Sequence, residues 1–281
     1  MSISPKISII GSSIRADRWN DFYENLNQRN DIEFEIVFCG NSNLTPELPS
    51  NFNYIYSQTK PAQCVEISAR YAKGELLMVS SDDLLFGDHF LDSLYEHYQE
   101  NCSNNDFVSA NFKRRGYEYT SEDFKFWKFA DNSPLMPMNL TLKKEIWHEI
   151  GGVDKNFMGL FYDLDLALRL MERGGLNFKC EKAISEEIFI KDNFHTKIEK
   201  KILSFLGKKK PISLYEEIGI KMDKPMLNSF WVKDFQQLNE SEEFYSIFED
   251  QVHVKKRLLR VESFSDKDLR EVSQGPRGRW S

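Results

Sequence analysis

The chain has 281 residues, 41% of them hydrophobic and 29% charged, with a formal net charge of −7. That length fits one large domain or a domain plus an extension, and the composition is that of a globular protein. The acidic balance argues against a nucleic-acid partner. Cys39, Cys64, Cys102 and Cys180 form no CxxC pair, which fits a reducing cytosol rather than a zinc site or a disulfide framework. The N-terminal apolar run is too short for a signal peptide, and no stretch approaches the ~20 apolar residues of a membrane span. The expected location is therefore cytoplasmic.

In chain order, residues 6–10 ("KISII") form a β-rich run ending at Gly11, and residues 17–29 carry Trp19, Phe22, Tyr23 and Leu26 at helical spacing. Residues 33–39 and 53–56 read as two further strands. Residues 61–74 read as a helix with Pro61 in its first turn and Gly74 at its end, and residues 75–80 as a fourth strand. The next helix places Phe90, Leu91, Leu94, Tyr95 and Tyr98 on one face, with Asp88 as the expected N-cap. Residues 106–112 read as a strand. Residues 114–139 are aromatic, charged and irregular, too long for a plain connector, and suit a substrate loop. Residues 141–152 and 163–175 read as helices, each stopped by paired glycines, and "LNFKCE" and "SEEIFI" as two strands. From about residue 196 the chain reads as helical and charged. Strands alternating with helices predict an α/β fold with a mostly parallel sheet covered on both faces. Ligands bind such sheets outside the carboxyl ends of the strands.

Asp82 and Asp83 fall at one of those ends, directly after the apolar run Leu76-Leu77-Met78-Val79. Adjacent carboxylates repel, a turn needs at most one Asp, and both lie too early in the chain to cap the following helix. A positive group is expected to meet them. A second acidic element, "FYDLDLALRL", opens a helix with Asp163 and Asp165. Asp165 and Arg169 are spaced i, i+4, which suits a helix-surface ion pair of ~0.3–0.5 kcal/mol. Asp163 suits either a simple N-cap or a carboxylate exposed in an apolar pocket, where partial burial makes it a usable base.

The ordered set "ISIIGSSIRAD", "YAKGELLMVSSDDLLFGDHFLDSL", "PMNLTLKKEIWHEIGGVDKNFMGLFYDLDLALRLMERGG" and "DNFH" spans about residues 5–195. It resembles the inverting nucleotide-sugar glycosyltransferases of the GT-A type (family 2-like) that build surface polysaccharides. The resemblance implies a GT-A-like catalytic domain over residues 1–195, with a Rossmann-like nucleotide-binding half and an acceptor half, followed by a helical extension over 196–281. It implies donor-nucleotide contacts at Ser12, Arg15, Gly40 and Asp82, a divalent metal (Mn2+ or Mg2+) at Asp82, Asp83 and His195, and a catalytic base at Asp163. It implies acceptor contacts at Trp127, Asn139 and Tyr162. Three positions depart from the family: Gly40 replaces an acidic base reader, Ser80 replaces the first acid of the DxD motif, and Tyr162 replaces the Glu before Asp163.

These residue types suit sugar transfer from a nucleoside diphosphate. A divalent ion held by oxygen ligands neutralises the leaving diphosphate, and one carboxylate takes the acceptor hydroxyl's proton in a single displacement with inversion. The expected partners are a nucleotide-sugar donor and a saccharide or lipid-linked acceptor. Other readings of single residues stay open: Arg15 as a solvated helix-start residue, His195 as a loop residue, Trp127 and Phe126 as packing rather than sugar stacking. Two rival functions also stand. A nucleotidyltransferase is disfavoured because "GSSIRADR" has one Gly and no Lys; a degenerate glycan- or partner-binding relative is left room by Gly40, Ser80 and Tyr162. Residues 197–210 carry six lysines beside Ile198, Ile202, Leu203, Phe205 and Leu206. They suit either a peripheral contact with an anionic membrane or docking of the extension with the lysines in water. No feature of the sequence specifies an oligomeric state.

Overall fold

Short β-branched and aromatic runs form strands whose successive side chains enter two different cores. The computed structural model describes residues 4–43, 46–103, 105–114, 117–119, 127–128, 134–135, 137–155, 157, 162–187 and 261–265. β1 (Ile7–Ser12), β2 (Phe34–Gly40), β3 (Phe52–Tyr56) and β4 (Leu76–Ser80) are parallel and lie in the order β3–β2–β1–β4. Their register sets Gly11 beside Ser80 and Ser12 beside Cys39, so the carboxyl ends of β1, β2 and β4 finish together.

Past β4 the sheet is mixed. β10 (Thr141–Lys143) runs antiparallel to β4 and to β6 (Phe107–Arg114), β11 (Asn177–Glu187) is parallel to β6, and β5 (Leu84–Phe86) is antiparallel to β11. β7 (Tyr117–Tyr119) folds back on β6, while β8 (Trp127–Lys128) and β9 (Pro134–Leu135) form a separate pair. On one face, α1 (Trp19–Asn27) and α3 (Phe90–Asn101) close over Ile7, Ile9, Phe38 and Met78. On the other, α2 (Pro61–Tyr71), α4 (Lys144–Glu149) and α5 (Tyr162–Glu172) close over Ile10, Val37, Leu77 and Val79. Both faces are covered, as the alternation of elements predicts.

Four local expectations are corrected. Asp88 does not cap α3: the N-cap is His89, in the left-handed region at φ 53°, and the exposed Asp88 pairs instead with Arg29. Residues 141–143 are strand rather than helix, because they complete the sheet between β4 and β6 before α4 begins at Lys144. "LNFKCE" and "SEEIFI" do not give two strands; Asn177–Glu187 is one, with an irregularity between Cys180 and Ile184. The Asp165–Arg169 pair is not on the helix surface, since both side chains are completely buried.

That pair ties α5 to the end of α4. Arg169 donates to Asp165 Oδ2 at 2.9 Å, to the Ile150 carbonyl at 2.6 Å and to the Gly152 carbonyl at 2.5 Å. It thereby satisfies the C-cap carbonyl of α4 at Ile150, which the helix end leaves open, and a carbonyl of the turn beyond it. The adjoining turn is fixed from a second side by buried Glu66 of α2, whose carboxylate accepts from Trp147 Nε1 at 3.0 Å, the Val153 amide at 2.9 Å and Arg70 Nε at 2.8 Å. A third contact comes from far down the chain. Residues 261–265 lie against this turn: Ser263 bridges to Asp154, Lys155 N–H donates to the Glu262 carbonyl at 2.9 Å, Arg70 donates to the Phe264 carbonyl at 2.7 Å, and Phe264 is buried. Gly151 and Gly152 have φ of 92° and 65°, and a Cβ on either would collide, with Ser263 Oγ at 2.3 Å or the Glu66 carboxylate at 2.4 Å.

Candidate functional site

The carboxyl ends of β1 and β4 meet closely. A Cβ on Gly11 would come within 2.4 Å of the Ser80 carbonyl, so a glycine lets the two ends approach. The chain leaving β1 then passes over the turn that follows β4, and this crossing assembles a charged cluster. Asp82 is buried, 1% exposed. Its Oδ1 accepts from Arg15 Nε at 2.6 Å and from Arg15 Nη2; its Oδ2 accepts from the Ser13 hydroxyl and, at 3.3 Å, from the Arg15 backbone N–H. Ser13 is itself held by the buried Trp19, whose indole N–H donates to Ser13 Oγ at 2.5 Å. The neighbouring Asp83 is partly exposed; its Oδ2 lies 3.1 Å from Arg15 Nη2, and its Oδ1 accepts from Ser81 Oγ.

The positive group that the sequence requires beside the two aspartates is, in this structure, Arg15. Burial pulls its pKa down, but the hydrogen bonds and charges of Asp82 and Asp83 outweigh that and raise it, so the guanidinium is held charged. An arginine suits this place because its planar fork brings two N–H donors, Nε and Nη2, to one oxygen of Asp82.

Of the residues expected at the donor, Ser12, Arg15, Gly40 and Asp82 are brought to the same end of the sheet, together with Asp83 and Ser80. Gly40 lies buried beneath the chain leaving β1. A Cβ there would come within 2.0 Å of the Ser13 carbonyl, which gives the steric reason that no acidic side chain stands at this position. Asn139 joins the cluster from the segment entering β10, at φ 51°, donating to the Val79 carbonyl at 3.3 Å and facing Ser80 Oγ at 3.5 Å. Its Oδ1 and the Ser12 hydroxyl oxygen are both buried without a hydrogen-bond partner among the described residues. Tyr162 and Asp163 occupy the first turn of α5, both half-buried. Burial, with the nearby Asp163 charge adding to it, pushes the Tyr162 phenol pKa well up and keeps it neutral. Trp127 lies in the separate β8–β9 pair. His195, Phe126 and residues 197–210 lie outside the described residues.

Sequence reasoning missed Ser13, Trp19, Glu66 and residues 261–265. Ser13 had one available signal, its place in "GSSIR" next to Arg15. Apart from the expected site, the ligand atoms of Asp31, His89 and Asp92 lie within 4.8 Å of one another. Asp92 there accepts the backbone N–H groups of Asp31 and Ile32, and the Asp92 hydrogen bond raises the pKa of exposed His89, so this cluster serves as a loop–helix clamp.

No protein-family model and no curated protein matches the sequence. Among solved structures, the chain is similar to GalNAc-T7 crystallised with UDP, GalNAc and Mn2+, at a TM-score of 0.57 and 12% identity, over 93% of this chain. The architecture is GT-A-like. The chain spans only 56% of the length of that glycosyltransferase. In this GT-A-like frame, the Arg15–Asp82–Asp83 cluster sits outside the carboxyl ends of β1 and β4, where open α/β sheets bind ligands. Among the described residues, no helix is long and apolar enough to cross a membrane.

Proposed function

We propose that this protein is a glycosyltransferase that moves a sugar from a nucleoside-diphosphate donor to a hydroxyl of a saccharide or lipid-linked acceptor, in surface polysaccharide synthesis. The observation that carries the reading is the aspartate pair at the end of β4, set in a GT-A-like fold beside the carboxyl end of β1. The pair fits a divalent cation, Mn2+ or Mg2+, by donor chemistry: two carboxylates already share one positive group, and Asp83 is partly exposed. Such an ion, for which His195 would be an added ligand, would supply charge neutralisation at the departing diphosphate.

The chain's own residues have separate roles in this reading. Ser12 and the backbone around Gly40 face the nucleotide, and Arg15 brings a fixed positive charge to the phosphates. Asp163 accepts the proton of the acceptor hydroxyl as its oxygen bonds to the anomeric carbon. The bond from that carbon to the diphosphate oxygen breaks on the opposite face, the nucleoside diphosphate leaves with the electron pair, and the configuration inverts. Tyr162, Asn139 and Trp127 position the acceptor.

A second reading has an observation of its own. Both oxygens of Asp82 are already engaged by Arg15 and Ser13, which suits a relative that has lost transfer and binds a glycan or a partner. A panel of nucleotide-sugars, each with and without Mn2+, separates the two by thermal stabilisation. A donor present at 100 times its Kd stabilises by about 2.7 kcal/mol. Metal-dependent stabilisation by one donor, followed by transfer, supports the enzyme. Glycan binding indifferent to Mn2+, with no response to any donor, supports the second reading.

A further inference from the structure

The geometry points to Arg15 as an internal counter-cation that occupies the acid pair between turnovers and is handed over to the donor's diphosphate, with Asp82 as its fixed anchor and Asp83 as the carboxylate that exchanges it. The inference rests on the proposed donor and metal site and divides the labour within it.

The two aspartates are not equivalent. Asp82 is 1% exposed and saturated: one oxygen takes two N–H groups of Arg15, and the other takes the Ser13 hydroxyl and the Arg15 backbone N–H. Ser13 is backed in turn by buried Trp19. Of the two carboxylates, Asp82 is therefore the one that Arg15 holds more firmly. Asp83 meets Arg15 through a single contact at 3.1 Å, with its side chain 24% exposed, and Arg15 itself is 34% exposed. One guanidinium nitrogen, Nη2, contacts both carboxylates. Arg15 can therefore release Asp83 while Nε keeps its hold on Asp82.

A divalent ion at Asp83 would lie close to the guanidinium, and like charges so near each other disfavour sharing one carboxylate. A diphosphate removes the conflict by offering Arg15 a new set of oxygens. Arg15 thus opposes metal binding without donor and assists donor binding once metal is present. Metal and donor become coupled through one side chain, and the coupling is reciprocal.

The test uses the full chain and the variants Arg15→Met, Arg15→Gln and Asp83→Asn, titrated calorimetrically with Mn2+ alone and then with pyrophosphate at saturating Mn2+. Relative to wild type, Arg15→Met should bind Mn2+ about tenfold more tightly and pyrophosphate about tenfold more weakly, shifts of opposite sign within the usual range of site coupling. Asp83→Asn should lose Mn2+ binding. Mn2+ affinity in Arg15→Met equal to or below that of wild type overturns the inference and leaves the metal reading standing if wild type binds Mn2+. Absence of Mn2+ binding in both wild type and Arg15→Met overturns the inference together with the metal reading. If Arg15→Met does not fold, Arg15→Gln decides: it removes the charge but keeps N–H donors for Asp82, so tighter Mn2+ binding supports the exchange and unchanged binding refutes it.

Discussion

Replacing Arg169 by Met tests whether the pair with Asp165 is the buried tie described above or a surface helix contact. The variant keeps the length and apolar stem of the side chain while removing its charge and donors. Arg169 and Asp165 are both fully buried, so the change leaves an acid in the core without its cation. It also strips the Ile150 and Gly152 carbonyls of donors at 2.6 and 2.5 Å. Removing one partner of a buried pair costs ~3–5 kcal/mol, and each orphaned carbonyl adds to that less than additively. A loss of about 4 kcal/mol corresponds to roughly 8–16 °C in Tm for a domain of this size. Denaturant unfolding of the purified chain measures it, with the slope m checked for constancy. Asp165→Leu combined with Arg169→Met removes the stranded acid and should recover part of the loss, though not the carbonyl contacts. A loss below about 1 kcal/mol for Arg169→Met, the range of exposed pairs, would refute the argument.

Asp163→Asn should abolish transfer while leaving donor affinity within a few-fold of wild type, since a base acts on the acceptor; substantial turnover by this variant removes Asp163 from the mechanism. Asp165→Asn should instead act through Tm, because its carboxylate is buried against Arg169. Gly40→Asp, which introduces the acid that the resemblance leads one to expect there, should destabilise the chain by ~2 kcal/mol or more, because its Cβ has the Ser13 carbonyl 2.0 Å away. A melting curve unchanged from wild type would show that the crossing over Gly40 yields. Phe264→Ala should cost up to about 3 kcal/mol for a residue 4% exposed, readable in the same denaturation assay. Burial lowers the pKa of His148, with Lys144 and Arg70 adding to the shift against Glu66. The unfolded chain therefore binds the extra proton first, and the contribution of His148 is complete above the ordinary pKa of about 6.5 and lost as pH falls through the depressed folded value. His148→Gln should flatten that part of the stability–pH curve.

How far the sequence could be read depended on distance along the chain. Helices α1 and α3 were legible because Trp19, Phe22 and Leu26, or Phe90, Leu91 and Leu94, repeat at the helical period and are buried as that period requires, and α2 because Pro61 opens it and Gly74 follows its end. β5 was missed because three residues, Leu84–Phe86, carry no period, and their pairing with β11 is decided a hundred residues later. In β10, Thr141–Lys143 took on the helical pattern of α4, which follows without a break. Spacing showed that Asp165 and Arg169 touch, but not that their side of α5 faces the core; only the neighbouring Leu166 and Leu170, both buried, hinted at it. The acid pair was legible as an electrostatic anomaly. That Arg15 answers it was not, because the contact joins residues 67 positions apart through the crossing of two strand ends.

The docking of residues 261–265 changes what kind of object the intervening chain is. Glu187 closes β11, and Val261 re-enters beside the Gly151–Gly152 turn, so residues 188–260 begin and end on the same folded body. The described chain on either side of them is anchored to that body, by β11 and by residues 261–265. A single proteolytic cut within them should therefore leave two fragments that still copurify, joined by the burial of Phe264 and the Arg70–Phe264 and Lys155–Glu262 hydrogen bonds.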